Sequence, residues 1–113
     1  MNVRFENPKH EELVGDYARL TNWCGKRGRP SADDVLLTLD QIRAAETIED
    51  VPNALRPHPL KGKLKGHFGV WITEKFRVVI RPDPQQDPPA QLGQRNTIKS
   101  VLVVELCTDY HSH

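Results

Sequence analysis

Between Phe68 and Arg81 the chain reads F-G-V-W-I-T-E-K-F-R-V-V-I-R, two runs of period-two alternation around a short polar turn. A helix repeats every 3.6 residues, so this alternation fits strands, and Thr73-Glu74-Lys75 joins them as a hairpin. Phe68, Val70 and Ile72 share one face of the first strand, and Gly69, Trp71 and Thr73 share the other. On the return strand Phe76, Val78 and Ile80 face one way, Arg77, Val79 and Arg81 the other. Burying the aromatic and branched set leaves Arg77 and Arg81 on the open face.

Helices must cover the apolar face. Leu13, Tyr17, Leu20 and Cys24 form one stripe of a helix over about Lys9 to Trp23, ended by Gly25, Gly28 and Pro30. A second helix starts at Ser31, with Asp33 and Asp34 in the first turn where the helix dipole favours anions. Its apolar face is Val35, Leu36, Leu39 and Ile42, and it should stop near Ala45 or Glu46. Asn2 to Phe5 reads as a short strand stopped by Asn7-Pro8, and Ile98 to Leu106 as a central strand apolar on both faces. Residues 82–97, with four prolines and little apolar content, read as a loop or disordered excursion within a single domain of 113 residues. The expectation is an α+β fold: one antiparallel sheet of three to four strands, two N-terminal helices on one face, and a basic concave face opposite.

No apolar run approaches membrane-spanning length and the N-terminus lacks a signal-peptide core, so a cytoplasmic protein is expected. Cys24 and Cys107 lack metal-type spacing and read as reduced, half-buried thiols. Net charge is only +1, but residues 1–51 hold 7 Lys/Arg against 10 Asp/Glu and residues 52–113 hold 9 against 5. That split makes the C-terminal part the phosphate-facing side and leaves acidic helices for solvent or a partner protein.

Chemistry-bearing residues concentrate in that basic part. His58 sits between two prolines that restrict its backbone, followed by Lys61, Lys63 and Lys65. Gly62 beside Lys61 suggests close backbone approach to a ligand. Arg77 lies mid-strand, where a rigid scaffold aims a side chain well; a cross-strand partner such as Glu105 is its alternative use. After the last strand come Asp109, Tyr110 and His111. Tyr110 suits base stacking, His111 proton transfer, and Asp109 orientation of either group. RNA is cut without metal when its own 2′-hydroxyl attacks phosphorus, given a base, an acid and cations on the phosphoryl oxygens. Histidine and arginine suit those roles. No cofactor is called for, and Cys107 with His111 and His113 forms a poor metal set.

The segments H-P-L-K-G at His58 to Gly62, V-W-I … F-R-V across the hairpin, and the terminal D-Y-H resemble, in order, the HigB-like branch of the RelE/ParE toxin superfamily. That resemblance implies a RelE-like fold and a ribosome-dependent mRNA endonuclease. It implies a catalytic set of His58, Lys61, Arg77, Asp109, Tyr110 and His111, joined by Lys63, Lys65 and Arg81 in RNA binding. It implies partners too: a HigA-like helix-turn-helix antitoxin, the ribosome and mRNA, with no membrane. Two other readings share the fold: a ParE-like gyrase inhibitor, which would not need these groups, and a non-catalytic interaction domain from a decayed toxin. The proline-rich segment and the extra Ser112-His113 depart from the family pattern.

Overall fold

The computed structural model describes residues 1–26 and 28–109. Its described strands are β1 (Asn2–Phe5), β2 (His58–Pro59), β3 (Phe68–Trp71), β4 (Phe76–Pro82) and β5 (Ser100–Asp109); its described α-helices are α1 (Pro8–Val14), α2 (Tyr17–Cys24) and α3 (Ala32–Ala44). The fold is α+β, with a five-stranded sheet in the order β1-β5-β4-β3-β2.

The sheet differs from the expected antiparallel sheet of three to four strands. β1 runs parallel to β5, Asn2 opposite Ser100 and Phe5 opposite Val103. A two-residue strand in the proline-rich connector adds the other edge, His58 pairing with Gly69 and Pro59 with Phe68. That strand is too short to show a period, which is why alternation does not reveal it. β5 is an interior strand, as its apolar run on both faces implied, with β1 and β4 on its two sides, and its pairing with β4 is bulged between Arg77 and Val79 and between Val79 and Ile80.

The single helix expected over Lys9 to Trp23 is two. Gly15 ends α1, and the Asp16 side chain caps α2 by accepting from the Arg19 amide at 3.2 Å. The break turns Tyr17 out of the apolar stripe: it is exposed, and its hydroxyl donates to Asp33 Oδ1 at 2.8 Å. α3 follows its expected bounds, with Ser31 Oγ accepting from the Asp34 amide at 3.1 Å. Such a cap contributes about 1 kcal/mol.

Leu20 and Cys24 of α2 and Val35, Leu39 and Ile42 of α3 share one buried cluster with Val70, Val78, Ile80, Val101 and Val103 of the sheet. Each fully buried Val, Leu or Ile in it contributes roughly 1.5–3 kcal/mol. β3 and β4 therefore sit rigidly, which fixes the residues on their other face. No described helix is long and apolar enough to cross a membrane.

Residues 82–97 form an ordered loop. The Gln86 side chain ties its base: Nε2 donates to the Thr97 carbonyl at 2.8 Å, and Oε1 accepts from the Lys99 and Ser100 amides at 2.9 and 3.0 Å. Thr97 Oγ1 accepts from the Gln91 amide at 2.8 Å and donates to the Gln94 carbonyl at 2.6 Å. Two side chains thus supply pairing that a low-apolar segment lacks from burial.

Candidate functional site

The site is built around a glycine in a strand. Gly69 stands on the face of β3 away from the core cluster, where a strand ordinarily carries a side chain. A Cβ placed there would lie 3.1 Å from His58 Cε1, 3.2 Å from Arg77 Cδ and 3.3 Å from Leu60 Cδ2. These separations are tighter than ordinary van der Waals contact, so three side chains converge on the space that glycine vacates. Two of them, His58 and Arg77, were expected to act together from sequence.

Backbone geometry then orients the imidazole. His58 Nδ1 lies 2.6 Å from the Arg56 carbonyl oxygen. A carbonyl only accepts, so Nδ1 carries the hydrogen and the lone pair of the neutral ring is on Nε2. Arg56 takes the left-handed backbone conformation, φ 46°, which is costly for a side-chain-bearing residue and is the kind of strain found at working sites. Its guanidinium lies over the Trp71 ring, 4.8 Å from the centroid. Arg56, Pro57, His58 and Trp71 line a recess of about 350 Å³.

Arg77 occupies the expected face, yet that face is not open there: Arg77 is only 5% exposed. The register puts Thr108 opposite Arg77 and Glu105 opposite Val79, so the bulged pairing does not set Glu105 directly across from it. Asp109, the last described residue, pairs with Phe76, one step from the Arg77 row. Tyr110 and His111 lie outside the described residues.

The other expected residues spread outward. Lys61 opens a single 3-10 turn, Gly62–Leu64, and lines a second recess with Leu60, Lys65 and Phe68. Leu60 is thus common to that recess and to the Gly69 contact. Gly62 has φ +66°, a left-handed conformation that favours glycine, and nothing lies within 4 Å of a Cβ position. Lys63 and Lys65 are exposed. Arg81 is engaged elsewhere, its Nε donating to Glu6 Oε2 at 3.2 Å.

Beside Arg81 lies a different kind of polar cluster. Arg4 clasps Asp83 through Nε–Oδ2 at 2.7 Å and Nη2–Oδ1 at 2.8 Å, while Ser100 Oγ and the Gln85 amide add bonds of 3.1 and 2.9 Å. The Arg4 hydrogen bonds foremost hold the Asp83 carboxyl down at about 2, against the opposing effect of burial. No local pattern signals this cluster, whose Arg4 and Asp83 stand 79 positions apart.

Both cysteines are free, Cys24 buried and Cys107 half-buried. Burial raises both thiols, Cys107 to about 12, so neither supplies a thiolate nucleophile near neutral pH. Among the described residues no group of three His, Cys, Asp or Glu is placed to hold a metal ion.

Gly69, Leu60, Arg56 and Trp71 were missed as site residues. A glycine inside an otherwise apolar strand was the available signal for Gly69, and its alternation with Trp71 placed both on the Arg77 face. Nothing in the sequence signals the Arg56 conformation. No protein family, curated protein or solved structure matches this chain.

Proposed function

We propose that this chain is a HigB-like toxin with a RelE-like fold, an endoribonuclease that cuts mRNA on the ribosome by 2′-hydroxyl attack. The observation that carries the reading is the meeting of His58 and Arg77 over Gly69, with the His58 lone pair directed to Nε2 by the Arg56 carbonyl.

In this mechanism Nε2 of His58 takes the proton from the 2′-hydroxyl as its oxygen bonds to phosphorus. Arg77 and Lys61 stabilise the charge that builds on the phosphoryl oxygens. The bond from phosphorus to the 5′ oxygen breaks, and His111 or Tyr110 protonates that oxygen. Products are a 2′,3′-cyclic phosphate and a 5′-hydroxyl, with no metal or cofactor in any step. The Trp71 ring beneath Arg56 offers a stacking surface for a neighbouring base. Lys63 and Lys65 add attraction for the RNA backbone, while Arg81 is paired with Glu6.

The setting is cytoplasmic, and the acidic N-terminal helices are the surface for a helix-turn-helix antitoxin, distinct from the basic site. The test is induced expression with mapping of mRNA 5′ ends. Growth arrest with new in-frame 5′ ends, relieved by a co-expressed helix-turn-helix neighbour, supports the reading. Arrest with intact mRNA and inhibited gyrase would replace it with the gyrase alternative.

A further inference from the structure

The second recess, about 460 Å³, is of a size that holds small ligands. Its apolar walls are Pro59, Leu60, Phe68 and Leu92, and Lys61 and Lys65 line it too. Leu92 comes from the proline-rich loop, whose anchoring by Gln86 and Thr97 makes it a fixed wall. Although 56% exposed, Leu92 reaches across the turn: its Cδ1 lies 3.8 Å from the position of a Cβ on Gly66. Arg95 of the same loop stands 5.8 Å from the Phe68 ring centroid. A solitary exposed leucine is ordinary on a protein surface. This one faces Leu60 and Phe68 across a recess that two lysines share, and packing of the core does not require it.

An apolar slot flanked by two exposed lysines suits a flat uncharged ring that carries an anion. Leu60 also touches the Gly69 space that His58 and Arg77 border, so one side chain stands between the slot and those two residues. We propose that this recess is a nucleotide subsite: Leu60, Phe68 and Leu92 enclose the base of a nucleotide flanking the cut, and Lys61 and Lys65 hold its phosphate. The inference rests on the ribonuclease reading and adds to it a specificity element made by the proline-rich loop, the part of the chain that departs from the family pattern.

The test is an amide-resolved NMR titration of the full chain with adenosine monophosphate, adenosine, inorganic phosphate and decanoate. Adenosine monophosphate is expected to shift the amides of Gly66, Phe68 and Gly93, adenosine to bind more weakly, and phosphate alone to leave them in place. Leu92→Asp should weaken the nucleotide at least tenfold with an unchanged Tm, and Leu92→Ala should do so less. Unshifted amides, tighter binding of decanoate, or wild-type affinity in Leu92→Asp would overturn the subsite. The two readings separate cleanly. Loss of cleavage in His58→Ala with intact nucleotide binding in Leu92→Asp removes the subsite alone; normal cleavage in His58→Ala with binding lost in Leu92→Asp removes the ribonuclease mechanism alone.

Discussion

Two polar regions of one sheet are built on different principles. Around Asp83, Arg4, Ser100 and the Gln85 amide form a closed set of hydrogen bonds that ties β1 to the end of β4. Around Gly69, the absence of a side chain lets carbon atoms of His58, Arg77 and Leu60 come within 3.1–3.3 Å of where a Cβ would stand. The first region stores its energy in charge pairing and should answer to charge removal and pH. The second keeps a space that one added methyl group would fill, so it should answer to volume, in activity more than in stability.

The largest effects belong to the second region. Arg77→Ala and His58→Ala should each lower ribosome-dependent cleavage by roughly 10²–10³, the usual cost of removing a positioned donor or base. Single-turnover cleavage with a parallel melting curve checks both. His111→Ala is expected to behave alike if that residue is the acid. Gly69→Ala adds one methyl group where His58, Arg77 and Leu60 already crowd. Displacing them by a few tenths of an ångström should cost about tenfold in cleavage, with Tm shifted far less than by a core truncation. Wild-type activity in a folded Gly69→Ala protein would break the contrast between the regions.

Asp83→Asn should do the reverse, removing on the order of 1–2 kcal/mol of stability, allowing for water at the partly exposed Arg4, and leaving cleavage unchanged. The folded carboxyl titrates at about 2 against 3.8 in the unfolded chain. Its contribution is therefore fully present above pH 3.8 and is lost as pH falls through 2. Denaturant midpoints for wild type and Asp83→Asn should differ near neutrality and converge in acid. The smallest effect is expected of Lys63→Ala, in an exposed turn, which should keep most of the cleavage rate.

The parts of this molecule legible in sequence are those set by local periodicity. The hairpin faces, the Ser31 cap of α3 and the interior place of β5 follow from local pattern alone. The parts that were not legible depend on contacts distant in the chain or on single backbone angles. The parallel pairing of β1, the two-residue β2 and the Arg4–Asp83 clasp join segments with no shared local pattern. The break at Gly15-Asp16 is a local signal that one continuous apolar stripe obscured. For the site, alternation put Arg77 on its face, and His58 was singled out for its two flanking prolines. That they meet depended on β2 pairing His58 with Gly69, which no period shows.

The central claim is that the RNA supplies the nucleophile while His58 and Arg77 serve it. An mRNA carrying one 2′-deoxynucleotide immediately 5′ of a mapped cut, presented on translating ribosomes with the wild-type protein, tests this most directly. The account predicts that cleavage at that bond disappears, while neighbouring cuts persist and end in 2′,3′-cyclic phosphates. Cleavage at the deoxy position at the normal rate would contradict it.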